Sequence, residues 1–195
     1  MTFTLLSGYF FIVPALLIML IAWREDTSYV YVGVAYLLVG VGAGLALTPA
    51  SHSLTGSVPV SRVGMASGTA DLQRDLGGSI MQAIMGTMLT FGYAASLKAS
   101  IGDSPDASKV SGTTEAALLQ SFTGAEQVAE KFPKFKEQIV SAATDSFLSG
   151  SNWAYMAALI ATVLGAILVA TRFPGKAGEA AMQAEYHEQD SKLSA

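Results

Sequence analysis

Four stretches of this chain carry no Asp, Glu, Lys or Arg: residues 1–23, 27–61, 76–97 and 146–171. A bilayer's hydrocarbon core is about 30 Å thick, and a helix needs about 20 residues to cross it. Each stretch is long enough. A soluble core helix of that length would show charge on its outer face. A charge at mid-bilayer costs roughly 2.5–3.5 kcal/mol, so uncharged runs are what lipid selects. The runs predict transmembrane helices near 3–23, 29–50, 76–97 and 152–172. The chain is 13% charged and 51% apolar, where an average soluble domain carries about 25% charged residues. Mean hydropathy is +0.45 even with a long polar segment included. The expected fold class is all-α, a polytopic helix bundle in a lipid bilayer.

The first run lacks the basic start of a signal peptide and is longer than the usual apolar h-region. It reads as a retained span. Trp23, Tyr29, Tyr31, Trp153 and Tyr155 fall at the ends of predicted spans, where amphipathic rings favour the headgroup layer.

The run GVGAGLALTP, residues 40–49, poses a choice between a phosphate-cradling loop and a membrane helix. A dinucleotide loop needs G-x-G-x-x-G after a strand and an acidic residue further on. Here the third glycine comes one position early, and no acid follows at the distance a ribose needs. Within a helix, Gly40 and Gly44 share a face. Small residues four apart let two membrane helices approach closely, so that packing replaces the drive lipid does not supply. Gly33 extends this groove. Gly64 and Gly68 repeat the spacing, and so do Ala157, Ala161 and Gly165 on the last span. Pro14 and Pro49 each remove a backbone donor and favour a kink, which a bundle tolerates. Gly40, Gly44, Pro49, Gly64 and Gly68 are thus candidate packing or hinge positions.

Only REDTS separates the first two spans, which makes them antiparallel neighbours. After Pro59 little interrupts a helix, so the third helix is expected to start near Ser61 and to project past the membrane. Asp71, Arg74 and Asp75 share a face of that projection. They read either as a solvated helix end with a weak internal ion pair or as a charge relay at the mouth of a transport cavity. Gln82, Thr87 and Thr90 are polar positions further along, suited to lining a cavity or to bonding a neighbouring helix. Arg62 and Arg74 share one side with Arg172 and Lys176, and short basic loops favour the cytoplasm. Both termini are therefore expected there.

The domain boundaries follow. Residues 1–97 hold three spans, 98–151 an extracytoplasmic loop, 152–173 the last span and 174–195 a polar cytoplasmic tail. Within the loop, Thr123 and Glu126 fit a capping box opening a short helix up to Lys131. A second helix is expected from Lys134 to Ser149, with Phe135, Ile139, Ala143 and Phe147 on one face and Gly150 stopping it.

Several functions are disfavoured. With no cysteine there are no disulfides or thiolate metal sites. His52 and His187 are too far apart to suggest zinc, and a net charge of −4 without a basic cluster argues against nucleic acid. No nucleophile, base and orienting group assemble into an enzyme, and no cofactor is implied.

Residues 30–97 resemble the major facilitator superfamily of transporters, and more narrowly its fourteen-helix drug:proton antiporter branch. The residues that carry the resemblance are Gly40, Gly42, Gly44 and Pro49 on one helix. On the next they are Arg62, Gly64, Ala66, Ser67 and Gly68, followed by Arg74, Leu76, Gly77 and Gly78. A long outer loop before the final helix is also similar. The resemblance implies that the four spans correspond to the last four of that branch, as part of its C-terminal half. It implies close packing at Gly77 and Gly78, and partners in the remaining helices of a full transporter. It also implies efflux of lipophilic or cationic small molecules across the cytoplasmic membrane of a bacterium. Met81 and Gln82 stand where the family often has another glycine; with Met85 and Met88, Met81 forms an apolar stripe suited to core packing or to a soft lining. The family fold binds substrate between two six-helix halves, so four spans alone should not transport. A four-span scaffold or accessory subunit without transport activity is the other reading.

Overall fold

The computed structural model describes residues 2–24, 27–56, 58–107 and 110–172, with 178, 184 and 191 besides. The tail expected from 174, apart from those three positions, and the side chains of Pro49 and His52 lie outside the described residues. The order is α1 (Thr2–Ala22), α2 (Tyr29–Gly56), a 3-10 turn (Val60–Arg62), α3 (Val63–Gly102), α4 (Gly112–Gln120), α5 (Phe122–Lys131), a second 3-10 turn (Pro133–Phe135) and α6 (Lys136–Arg172). The class is all-α, and α1, α2, α3 and α6 are each long and apolar enough to cross a membrane. At 1.5 Å per residue, the 40 residues of α3 span about 60 Å, roughly twice a hydrocarbon core.

Three boundaries differ from the sequence reading. Helix α2 continues through position 49 to Gly56 instead of ending near 50. Proline withdraws its own donor, but one lost bond does not stop a helix whose neighbours are in place. Helix α3 runs on to Gly102, past Lys98. The stop expected at Gly150 is absent, and α6 is one helix from Lys136 to Arg172. A glycine ends a helix by adopting positive φ, and no glycine among the described residues does so.

The chain divides into two compact units. One comprises Met1–Leu17, Val30–Met81 and Leu159–Ala195. In it α1 meets α2 backbone to backbone. A Cβ on Gly8 would lie 2.7 Å from the Gly42 carbonyl oxygen; one on Gly42 would lie 2.6 Å from Ile12 Cγ1. Leu5, Ala15, Leu16 and Ala35 are buried in this unit. On α6, Gly165 leaves room for the Tyr9 phenol of α1.

The other unit comprises Ile18–Tyr29 and Gln82–Ala158. Its α1–α2 connection is closed by Thr27, whose hydroxyl donates to the carbonyls of Ala22 and Arg24 and accepts from the Arg24 N–H. Here α3 and α6 cross glycine on glycine. A Cβ on Gly92 would lie 2.8 Å from the Gly150 Cα, and one on Gly150 would strike the Leu89 carbonyl. Beyond this crossing a small core forms from Tyr93 and Leu97 of α3, Leu118 of α4, Ala125 and Val128 of α5, and Ala143 of α6. The Tyr93 hydroxyl donates to the Leu118 carbonyl at 2.9 Å. Helix α4, which no sequence signal announced, is capped by Ser111, whose hydroxyl accepts from the Thr114 N–H. Helix α5 ends at Lys131 as expected, but its cap is Ser121, accepting from the Gly124 N–H at 3.0 Å. The capping box assigned to Thr123 and Glu126 is thereby corrected: a serine two residues earlier reached the orphan donors first.

Candidate functional site

The 3-10 turn after Pro59 is closed by the Arg62 N–H on the Pro59 carbonyl at 2.8 Å, and α3 starts from it. The first part of α3 carries the residues expected to matter most. Arg74 Nη1 donates to Asp71 Oδ1 at 3.0 Å, one turn apart on the helix surface. Asp75 is exposed on the adjoining position. The pair's side chains are 50% and 62% exposed, so in water it would contribute little, on the order of 0.3–0.5 kcal/mol.

Every residue from Asp71 to Ile80 is exposed, on all sides of the helix. That includes Leu72, Leu76 and Ile80, at 68%, 60% and 53%. Gly77 and Gly78 have open space where a Cβ would stand, as do Gly64 and Gly68 on the preceding turns. Of the candidate packing positions on α2, Gly40 and Gly44 also face open space. Among the described long helices the tightest glycine contacts are made by Gly8, Gly42, Gly92 and Gly150 instead. The three-glycine run did contain Gly42, but the spacing rule singled out its two outer members. Small residues four apart do accompany Gly8 (Thr4), Gly92 (Ser96) and Gly150 (Ser146 and Ala154), a signal that glycine pairs alone do not show, and each glycine finds its partner on a different helix.

Further along α3, Thr87 donates to the Ala83 carbonyl at 2.8 Å and Thr90 to the Gly86 carbonyl at 2.9 Å. Both line a shallow, open concavity with Ala83, Gly86, Phe91 and Ala94. Their hydroxyl protons are used within the helix, which leaves oxygen lone pairs to accept. Gln82 is exposed and does not line this concavity. Five residues separate it from Thr87, which places the two on different faces. Met81, Met85 and Met88 are each half-buried. No group of three or more His, Cys, Asp or Glu that could hold a metal occurs among the described residues.

What this half of α3 presents is a cationic head between two carboxylates, followed by a glycine-faced, lipophilic stretch that is exposed from Asp71 to Ile80 among the described residues. No family model matches the chain, and no solved structure matches it at a significant level. Curated relatives do. Over 94 residues, 48% of this chain, it is 33% identical to the multidrug resistance protein Stp of Mycobacterium tuberculosis. Over 166 residues, 84% of this chain, it is 24% identical to the multidrug efflux pump LfrA of Mycolicibacterium smegmatis. The matched region covers 17% of the first relative and 31% of the second. This is a multi-pass helical membrane protein similar to bacterial multidrug efflux pumps, and it spans less than a third of their length.

Proposed function

We propose that the chain acts as the C-terminal segment of a proton-coupled multidrug efflux antiporter of the major facilitator type. The observation that carries this reading is the bare stretch of α3 from Asp71 to Ile80. Ten consecutive exposed helical residues, several of them small or apolar, suit a helix placed at the centre of a larger bundle. The similarity to two drug pumps, of which the matched region covers less than a third, supports it. In this reading Gly40, Gly44, Gly64, Gly68, Gly77 and Gly78 seat further helices at close range. Arg74, held by Asp71 and followed by Asp75, moves between partners as the mouth of the cavity opens and closes. Thr87 and Gln82 face different compartments of the bundle, one toward substrate and one toward a helix. The substrates are lipophilic or cationic small molecules, and both termini lie in the cytoplasm. Four spans supply one part of a cavity wall, so the segment does not transport alone.

Ethidium efflux tests this. Cells making only residues 1–195 should show no energy-dependent efflux. Cells making the protein from its native locus, with everything translated in frame with it, should show efflux that a proton uncoupler abolishes. Arg74→Gln at that locus should reduce it by at least about tenfold, while Arg74→Lys restores part. Efflux by the four spans alone would overturn the claim that they are insufficient. No efflux from the native locus would favour a scaffold or accessory subunit.

A further inference from the structure

We propose that the lobe built from the end of α3, α4, α5 and the start of α6 holds a binding site of its own, for an uncharged or cationic lipophile of two to three fused or linked rings. The site is a cavity of about 290 Å³. Its walls are apolar: Ile101, Val110, Leu118, Phe132, Phe135 and Ile139 all line it. The cavity is half open to its surroundings, and its apolar walls offer ordered water few partners. Its volume approaches the range of small-molecule pockets.

The polar residues of the lining decide the charge of the occupant. Ser104, Asp106 and Gln138 are among them, and Asp106 is the charged residue of the lining among the described residues. The Ser104 hydroxyl accepts from the Asp106 N–H at 3.3 Å and from Gln138 Nε2 at 3.4 Å. These bonds tie the turn after α3 to α6 and fix Asp106 beside the cavity. Among the described residues no lysine or arginine lines the cavity, so an anion would meet apolar walls with no counter-charge from them. A neutral ring system avoids that cost, and for a cationic one the Asp106 carboxylate in the lining offsets it. The site lies wholly within one compact unit, and it is separate from the concavity at Thr87 and Thr90. It stands whether or not the chain is part of a transporter.

Photolabelling of the purified 195-residue chain with an uncharged phenyl diazirine tests the proposal. Labelling of peptides containing Ile101, Phe132 or Phe135 should saturate with probe concentration. N-phenylnaphthylamine at about ten times its dissociation constant should lower it about tenfold, and its sulfonated analogue should not. Ala142→Trp, which fills the cavity, should abolish the saturable part; Ile139→Phe serves if the first variant loses its helical circular dichroism. Labelling of the wild-type lobe that rises linearly with probe overturns the proposal by itself, as it would if detergent tails occupied the space. So does equal competition by the sulfonate, or saturable labelling that survives in a folded cavity-filled variant.

Discussion

At the scale of single residues, Gly8, Gly42, Gly92 and Gly150 serve close approach, and no glycine among the described residues takes a positive-φ turn. Gly42 lies against the Gly8 backbone and Ile12, so a methyl group there would overlap both. Gly42→Ala should therefore destabilise the isolated chain by about 1–3 kcal/mol, the usual cost of overpacking. Gly40→Ala, two positions away in open space, should leave it within about 0.5 kcal/mol. Denaturation of both variants in mixed micelles checks the contrast, and equal effects would contradict it. The sequence showed that glycines cluster on α2 but not which of them meets α1. An i, i+4 spacing fixes a shared face; it does not say which neighbour that face meets. The Asp71–Arg74 pair was legible for the same reason in reverse, since both partners sit on one helix at contact spacing.

At the scale of elements, the spans were readable because lipid leaves no freedom: a run without charge and long enough to cross has one stable backbone solution. The polar segment was harder. Its helices are short and depend on caps and on one another, and serine caps leave a weak signature among the ten or so serines and threonines nearby. Ser121 serves both sides of the α4–α5 joint: it ends α4 and its hydroxyl accepts from the Gly124 N–H. Ser121→Ala should cost about 1 kcal/mol, seen as faster amide exchange at the start of α5 with the long helices unchanged. Exchange altered equally in α2 would contradict a local role. Tyr93→Phe should act on α4 instead, because it removes the hydroxyl bonded to the Leu118 carbonyl. The expected loss is about 0.5–1.5 kcal/mol, read as increased proteolysis between Val110 and Ser121.

At the scale of the whole molecule, four long helices with so little of their surface buried are an unfinished structure in water and a plausible one in lipid. Because the chain has no cysteine, single cysteines report on its surroundings without background. Ser61→Cys should react with a membrane-impermeant maleimide only after the cell envelope is opened, and Ser111→Cys should react in intact cells. The opposite pattern would invert the proposed orientation. The central claim is that other helices cover α3 from Asp71 to Ile80. Spin labels on cysteines placed singly at Leu72, Leu76, Gly78 and Ile80, introduced at the native locus, test it most directly. The account predicts immobilised spectra at all four positions in native membranes and mobile spectra when residues 1–195 are made alone. Mobile, lipid-exposed spectra at all four positions in both preparations would contradict it.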